Sequence, residues 1–291
     1  MARGFDHIVH AVRDADAAVA LYRNLGFQVC ARSRHPSIWG TQNNVVQLPG
    51  AYIELLSIAD ASGIAPQTPK HFSFGAFNRD FLTRGQGLSM LVLEGSGAQD
   101  AQEFQAAGIG NFDPFEFERE AKRPDGAPVK LGFTLVFARD ARAPEIGFFT
   151  SKHHYPENFW NPAFQVHENT ATGVAGVVIV AQDPEDHAHF LAAFADAQSA
   201  RTANGLLITT PRGEIDVMTA DNFLRRFGVK APNVERGARL AALRFAVAQP
   251  SRLQAVPELA GMGGLYVGNA AVIGSEDAMG AVLVFEPARA R

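Results

Sequence analysis

The sequence predicts an α+β protein built from four βαβββ units arranged as two pairs. Three observations lead there. Short apolar runs with the two-residue period of strands recur along the whole chain, the first run is followed by a capped amphipathic segment, and the same order returns from Leu88, Gly176 and Leu240.

In the first unit, Phe5 to Val12 is apolar at both parities, as in a strand buried on both faces. Asp14 can accept from the first free backbone N–H groups of a helix whose Ala17, Ala18, Leu21, Tyr22 and Leu25 share a face, and Gly26 supplies its left-handed stop. Phe27 to Arg32, Asn44 to Leu48 and Tyr52 to Ile58 read as three further strands, turned through Pro36, Gly40 and Pro49-Gly50. The second unit runs from Leu88–Glu94 through a Ser96/Gln99 capping-box pattern and a helix carrying Ala101, Phe104 and Ala107. It closes on strands near Phe115–Ala121, Leu131–Phe137 and Ile146–Thr150. In the third, Gly176–Ala181 leads to a helix started by Asp183-Pro184, with Phe190, Leu191 and Phe194 on one face, then to Leu206–Thr210 and Glu214–Met218. The fourth has Leu240–Ala248, a helix interrupted near Pro257, and strands Tyr266–Ile273 and Ala281–Phe285.

Two irregular segments break this order. Residues 155–172, with Pro156, Pro162 and several aromatics, read as the connection between a first domain, 1–154, and a second, 173–291. Asp60 to Arg84 carries Pro66, Pro69, four phenylalanines and His71, and reads either as a lid over the open end of the first domain or as a packed Ω-loop.

Composition removes several classes of function. A net charge of −4 with scattered arginines offers no basic block for nucleic acid. Cys30 is alone, which excludes an internal disulfide and a cysteine zinc cluster and fits a reducing, cytoplasmic setting. The opening residues lack an apolar signal core, and no apolar run is long enough to cross a bilayer, so no membrane partner is expected. Neither a glycine-rich phosphate loop nor a GxSxG elbow stands in the required context, which argues against a nucleotide cofactor and against covalent hydrolysis.

His7, by itself, reads as a core histidine or a ligand. Glu54 lies inside the apolar run Tyr52 to Leu56, where a buried carboxylate needs a partner. Asp6-His7, the His35-Pro36, Gly40-Thr41 and Asn43 series, and Tyr52-Ile53-Glu54-Leu55 together resemble the vicinal oxygen chelate superfamily, in particular its glyoxalase-like domain proteins. The resemblance is concentrated in Phe5 to Ala59. It implies the glyoxalase/bleomycin resistance/dioxygenase-like fold, in which two βαβββ units pair into a cup whose first and last strands project metal ligands inward. It places His7 and Glu54 at two such positions, a pair suited to zinc, nickel, manganese or iron.

Counting back from each helix cap sets His7 level with Ser89, Gly176 and Ala242, and Glu54 level with Phe148 or Phe149 and with Asp216. The symmetric four-ligand set is thus incomplete, and the second pair of units looks degenerate. His153 or His154 could complete a two-histidine, one-carboxylate set; adjacent strand residues face opposite ways, so at most one can serve, and the spacing favours His153. An exposed loop pair is the plainer alternative. Tyr155, Glu157, Trp160 and His167 fall near the mouth of the cup, while His35, Trp39 and Asn43 lie on a turn able to hydrogen-bond a polar substrate.

The resemblance implies a divalent-metal lyase or isomerase acting on a small oxygenated metabolite. His7, Glu54 and His153 would hold the metal, and Glu157 or Glu54 itself would move a proton. Two other readings stay open: a metal-free protein that sequesters a small molecule in the same cup, and an extradiol-dioxygenase-like oxygenase. The oxygenase would need iron in the second pair of units, where glycine and alanine stand. An open apolar cup would also need covering, so a second copy of the chain, as in a homodimer, is among the expected partners.

Overall fold

The computed structural model of the chain describes residues 1–122, 126–254, 256, 261 and 264–288. The first half begins with β1 (Phe5–Ala11), α1 (Ala15–Asn24), β2 (Ser33–Arg34), β3 (Thr41–Leu48) and β4 (Ala51–Ile58). It continues through α2 (Phe74–Arg84), β5 (Gly87–Glu94), α3 (Ala98–Ala106), β6 (Phe115–Lys122), β7 (Pro128–Ala138) and β8 (Gly147–His153). These strands form one eight-stranded sheet in the order β2-β3-β4-β1-β5-β8-β7-β6. β1 runs parallel to β4 and antiparallel to β5, so the two opening strands meet at the centre and each unit's last strand lies beside its first.

After α4 (Pro156–Phe159), the second half repeats the plan. Its elements are β9 (Ala171–Val180), α5 (Ala188–Ala195), β10 (Ser199–Thr202), β11 (Gly205–Thr209), β12 (Glu214–Met218) and α6 (Ala220–Phe227). β13 (Arg239–Val247), β14 (Leu265–Val267), β15 (Ala270–Ile273) and β16 (Val282–Pro287) follow, in a sheet of order β10-β11-β12-β9-β13-β16-β15-β14. Among the described residues no helix is long and apolar enough to cross a membrane.

The outer faces of both sheets, together with α1, α3 and α5, share one core that includes Phe5, Ile8, Leu91, Val177, Leu243 and Phe285. This is why β1 reads apolar at both parities: Ile8 enters that shared core while Val9 faces the inside of the first cup. A seam joins the halves near residue 280. Gly280 adopts φ 86°, and a Cβ there would stand 1.8 Å from the Gln86 carbonyl oxygen, so only glycine permits the approach. Beside it, His10 Nε2 meets the Met279 carbonyl at 3.1 Å.

Several local expectations give way to tertiary contacts. Residues 27–32 are not a strand. Phe27 N–H goes to the Tyr22 carbonyl and Gln28 N–H to His167 Nδ1, leaving Cys30 N–H to Val45 O as the backbone bond made to β3, beside side-chain bonds from Asn44 to the Cys30 carbonyl and from Arg32 to Asn44. Ser96 does not cap α3; Gly97 holds that position, and Asp100 reaches back to the Ser96 N–H at 2.7 Å. Tyr266–Ile273 divides into β14 and β15 around a left-handed Gly268. The fourth unit's helix begins as a 3-10 turn, Pro250–Gln254, and the interruption expected near Pro257 falls outside the described residues.

The segment from Asp60 holds a helix, α2, capped by Ser73, whose Phe74, Phe81 and Leu82 pack into the first cup against Val9, Leu56 and Met90. In the second half, α6 does the same with Phe223 and Phe227. Each cup is therefore floored by a helix that follows its unit's last strand, and only the rim of the first is left for polar chemistry.

Candidate active site

At the rim of the first cup, a register shift between Phe5 and His7 makes Asp6 a bulged residue on β1. Strand alternation would send Asp6 and His7 to opposite faces; the bulge brings their side chains together, with Asp6 Oδ1 2.5 Å from His7 Nδ1. Asp6 Oδ2 lies 3.0 Å from His153 Nε2. His7 Nε2, on the far side of its ring, is 3.7 Å from Glu54 Oε2. Glu54 Oε1 in turn accepts from Asn43 Nδ2 at 2.6 Å and stands 3.2 Å from His35 Nε2, while His35 Nδ1 meets Thr41 Oγ1 at 2.8 Å. The result is a buried row, His153, Asp6, His7, Glu54, His35, in which imidazoles and carboxylates alternate.

The row is set by strand geometry. His7 and Val9 face inward on β1, and their parallel partners on β4 are Tyr52 and Glu54. Tyr52 stacks on the His7 ring with centroids 4.3 Å apart. Burial would raise the Asp6 carboxyl, but the charges and hydrogen bonds of His153 and His7 outweigh it and hold the group at about 2. Burial pushes Glu54 the same way, and there too His35, His7 and Asn43 prevail and keep it below the usual carboxylate range. Burial, reinforced by Asp6 and Glu54, drives the Tyr52 hydroxyl far above its ordinary value. Both carboxylates are thus ionised and Tyr52 is neutral throughout the physiological range.

His7, Glu54, His35, Asn43 and Trp39 line a cavity of about 50 Å³ whose other walls include Phe74, Phe133 and Phe149. His153 turns inward as the spacing suggested, but it meets Asp6 instead of joining Glu54. His154 faces the other way, onto Thr134. Trp160 lines an outer groove and lies parallel to His153. Glu157 is exposed on α4 along that same groove, away from the inner cavity, and Tyr155 is outside both, its hydroxyl donating to Glu118. His167 is a strut: Nε2 meets the Gln47 carbonyl and Nδ1 accepts from Gln28. Sequence reasoning gave no role to Asp6 or Arg119. Arg119 had a signal, since it shares strand parity with Phe115 and Phe117, which face the cup.

The glyoxalase-like domain family matches residues 5–195, well over half of the chain. The chain belongs to the glyoxalase-like domain family. It is a member of the vicinal oxygen chelate superfamily. A hypothetical protein from Staphylococcus aureus is similar in structure with a TM-score of 0.67 at 12% identity, covering 98% of this chain and 99% of that one. A mutant of 4-hydroxymandelate synthase from Streptomyces coelicolor gives 0.60 at 11% identity, covering 100% and 94%. The Mn(II)-bound glyoxalase from Novosphingobium aromaticivorans gives 0.52 at 9%, covering 98% and 82%. At these identities the likeness is one of fold. No curated protein matches the sequence.

One of these solved neighbours, the glyoxalase, is Mn(II)-bound. In the first cup of the glyoxalase-like chain, His7 and Glu54 alone occupy the expected strand positions with donor groups. Met90 pairs with Gly147 as His7 pairs with Tyr52, and Val92 pairs with Phe149 as Val9 pairs with Glu54, so the symmetric positions hold Met90 and Phe149. Ser89, which counting aligned with His7, is the bulged residue matching Asp6, and its hydroxyl bonds Asn78. His153 Nε2 stands 3.0 Å from Asp6 Oδ2 and its Nδ1 is buried without a partner, and no three His, Cys, Asp or Glu side chains among the described residues converge as ligands of one ion. The residues present do not fit a resident divalent metal.

The second cup departs further. Gly176 and Ala242 stand where His7 and Met90 do, and the buried Arg244 guanidinium fills the space, bound to Asp216, Glu214 and Glu286.

Proposed function

We propose that this glyoxalase-like protein is an enzyme of lyase or isomerase type that moves a proton on a small oxygenated metabolite, with His7 and Glu54 as the transferring pair. The observation that carries this reading is the 2.5 Å contact from Asp6 to His7 Nδ1, which leaves Nε2 facing Glu54 and the cavity. With Nδ1–H donated to Asp6, Nε2 is the basic nitrogen, oriented by a third group as in other acid–base sites. A proton taken at Nε2 leaves an imidazolium lying between Asp6 and Glu54. Glu54 Oε1 is engaged by Asn43 and His35, so Oε2 is the oxygen free to share the proton or return it to a neighbouring substrate atom. Phe74, Phe133, Phe149 and Phe159 wall the cavity around this pair. This route uses the chain's own acids and bases.

The same aromatic lining favours a second reading, a binding protein that holds its ligand unchanged. Proton exchange separates the two. Small 2-oxo and 2-hydroxy carbonyl compounds are incubated with the protein in D2O, and loss of the activated C–H signal is followed by NMR. Wild type is expected to exchange, and Glu54→Gln and His7→Gln to slow the exchange by roughly 100-fold or more. Unchanged rates in both variants would sink the assignment, and binding without exchange in wild type would favour the binder.

A further inference from the structure

We propose that the metabolite carries a carboxylate that docks on Arg119 and, next to it, a hydroxyl or amino donor that bonds Asn43 Oδ1. This rests on the proton-transfer reading for the identity of the site, but on separate observations for the chemistry of the ligand. The inner cavity adjoins an outer groove of about 650 Å³, and Asn43, Val45, Arg119 and Phe159 line both. Arg119 projects from β6 at this junction.

Other half- to fully buried arginines in the structure are paired: Arg3 with Asp100 and Glu103, Arg239 with Glu145, Arg244 with three carboxylates. Arg119, among the described residues, makes no hydrogen bond or ion pair, although it is partly withdrawn from water and burial lowers its pKa. A guanidinium so placed is stabilised by a planar, bidentate anion. Asn43 points the same way. Its Nδ2 holds Glu54, while its Oδ1 is buried without a partner, an acceptor that requires a donor from the ligand.

Charge then fixes orientation. Asp6 and Glu54 are both ionised at the inner end, so an anionic group is repelled from there and held at the Arg119 end. Volume agrees: about 50 Å³ admits on the order of three to five water-sized groups. The reacting carbon enters the inner cavity, the acid group stops at Arg119, and any larger substituent continues into the groove.

Calorimetric titration tests this with L-lactate and glycolate against their uncharged counterparts lactamide and glycolamide, and with inorganic phosphate run separately. Wild type is expected to bind the acids at least roughly tenfold more tightly than the neutral compounds. Arg119→Gln should erase that preference without changing the neutral affinities, and Arg119→Lys, which keeps the charge but loses the fork, should retain part of it. Thermal unfolding confirms that each variant is folded. In Glu54→Gln the preference should persist, so a failed proton-transfer reading leaves this result standing, and the reverse also holds. Equal binding of acids and neutral compounds, acid binding unaffected in both Arg119 variants, no acid binding up to about 10 mM, or phosphate bound in preference to the acids would each overturn the proposal.

Discussion

His10 ties the two halves of the chain together, and its titration should be visible in stability. It is fully buried, its Nε2 donates to the Met279 carbonyl, and its Nδ1 accepts from the Tyr22 hydroxyl at 3.0 Å. Both nitrogens are used by a neutral ring. Burial lowers its pKa from 6.5 to about 4, with the Met279 bond opposing only in part. Because the folded value is depressed, the unfolded chain takes up the proton first as pH falls. Stability is therefore full above about pH 6.5 and declines through the window between 6.5 and 4. The whole shift corresponds to about 3 kcal/mol, of which about 2 kcal/mol is lost between about pH 7.5 and pH 5. His167, also lowered by burial, acts in the same direction, whereas Asp6, held at about 2, acts only in more acidic solution. Urea unfolding of wild type and His10→Gln across that range isolates the contribution: the glutamine amide can still donate to Met279, and the variant should lose about 2 kcal/mol less than wild type. Parallel stability–pH profiles for the two proteins would refute the reasoning.

Two other outcomes follow from the cups. After dialysis against zinc, manganese and anaerobic ferrous iron, elemental mass spectrometry should find well under one metal per chain, and the same in His7→Ala and Glu54→Ala; near-stoichiometric metal lost in both variants would show that the ligands rearrange around an ion. Gly176→Ala should destabilise the chain by about 1–3 kcal/mol in urea unfolding, since its Cβ would stand 2.5 Å from the Glu214 carbonyl and 3.1 Å from Arg244 Nη1. An unchanged midpoint would mean that the second sheet gives way there at no cost.

Much of the architecture is legible from local features. Asp14 accepts from Asp16 and Ala17 N–H, Asp183 caps its turn, and the opening strands of the first, second and fourth units fall where apolar runs place them, because caps and strand period depend on near neighbours in sequence, whereas β9 begins at Ala171, before the run at Gly176 and inside the expected connector. His7 and Glu54 could be singled out for the same reason: one is polar on an apolar strand and the other is a carboxylate in a buried run. Less legible were α2 and α6. Their phenylalanines signal burial, yet whether a Pro-rich segment becomes a lid or a floor depends on the cup beneath it.

What the sequence by itself determined is the α+β order of strands and helices and the repeat of that order; the inward placement of His7 and Glu54 was what the family resemblance implied. Tertiary structure alone decided the chemistry at the rim. The Asp6 bulge exists only in the register between β1 and β5, and it turns an acidic neighbour into the group that orients His7 and claims His153. The same register puts Met90 and Phe149, both apolar, where donors were sought. Arg119 acquires its meaning only when β6 folds over Asn43. Periodicity fixes which face a side chain takes, but a bulge, a crossing strand or an unpaired guanidinium is defined by partners far away in the chain.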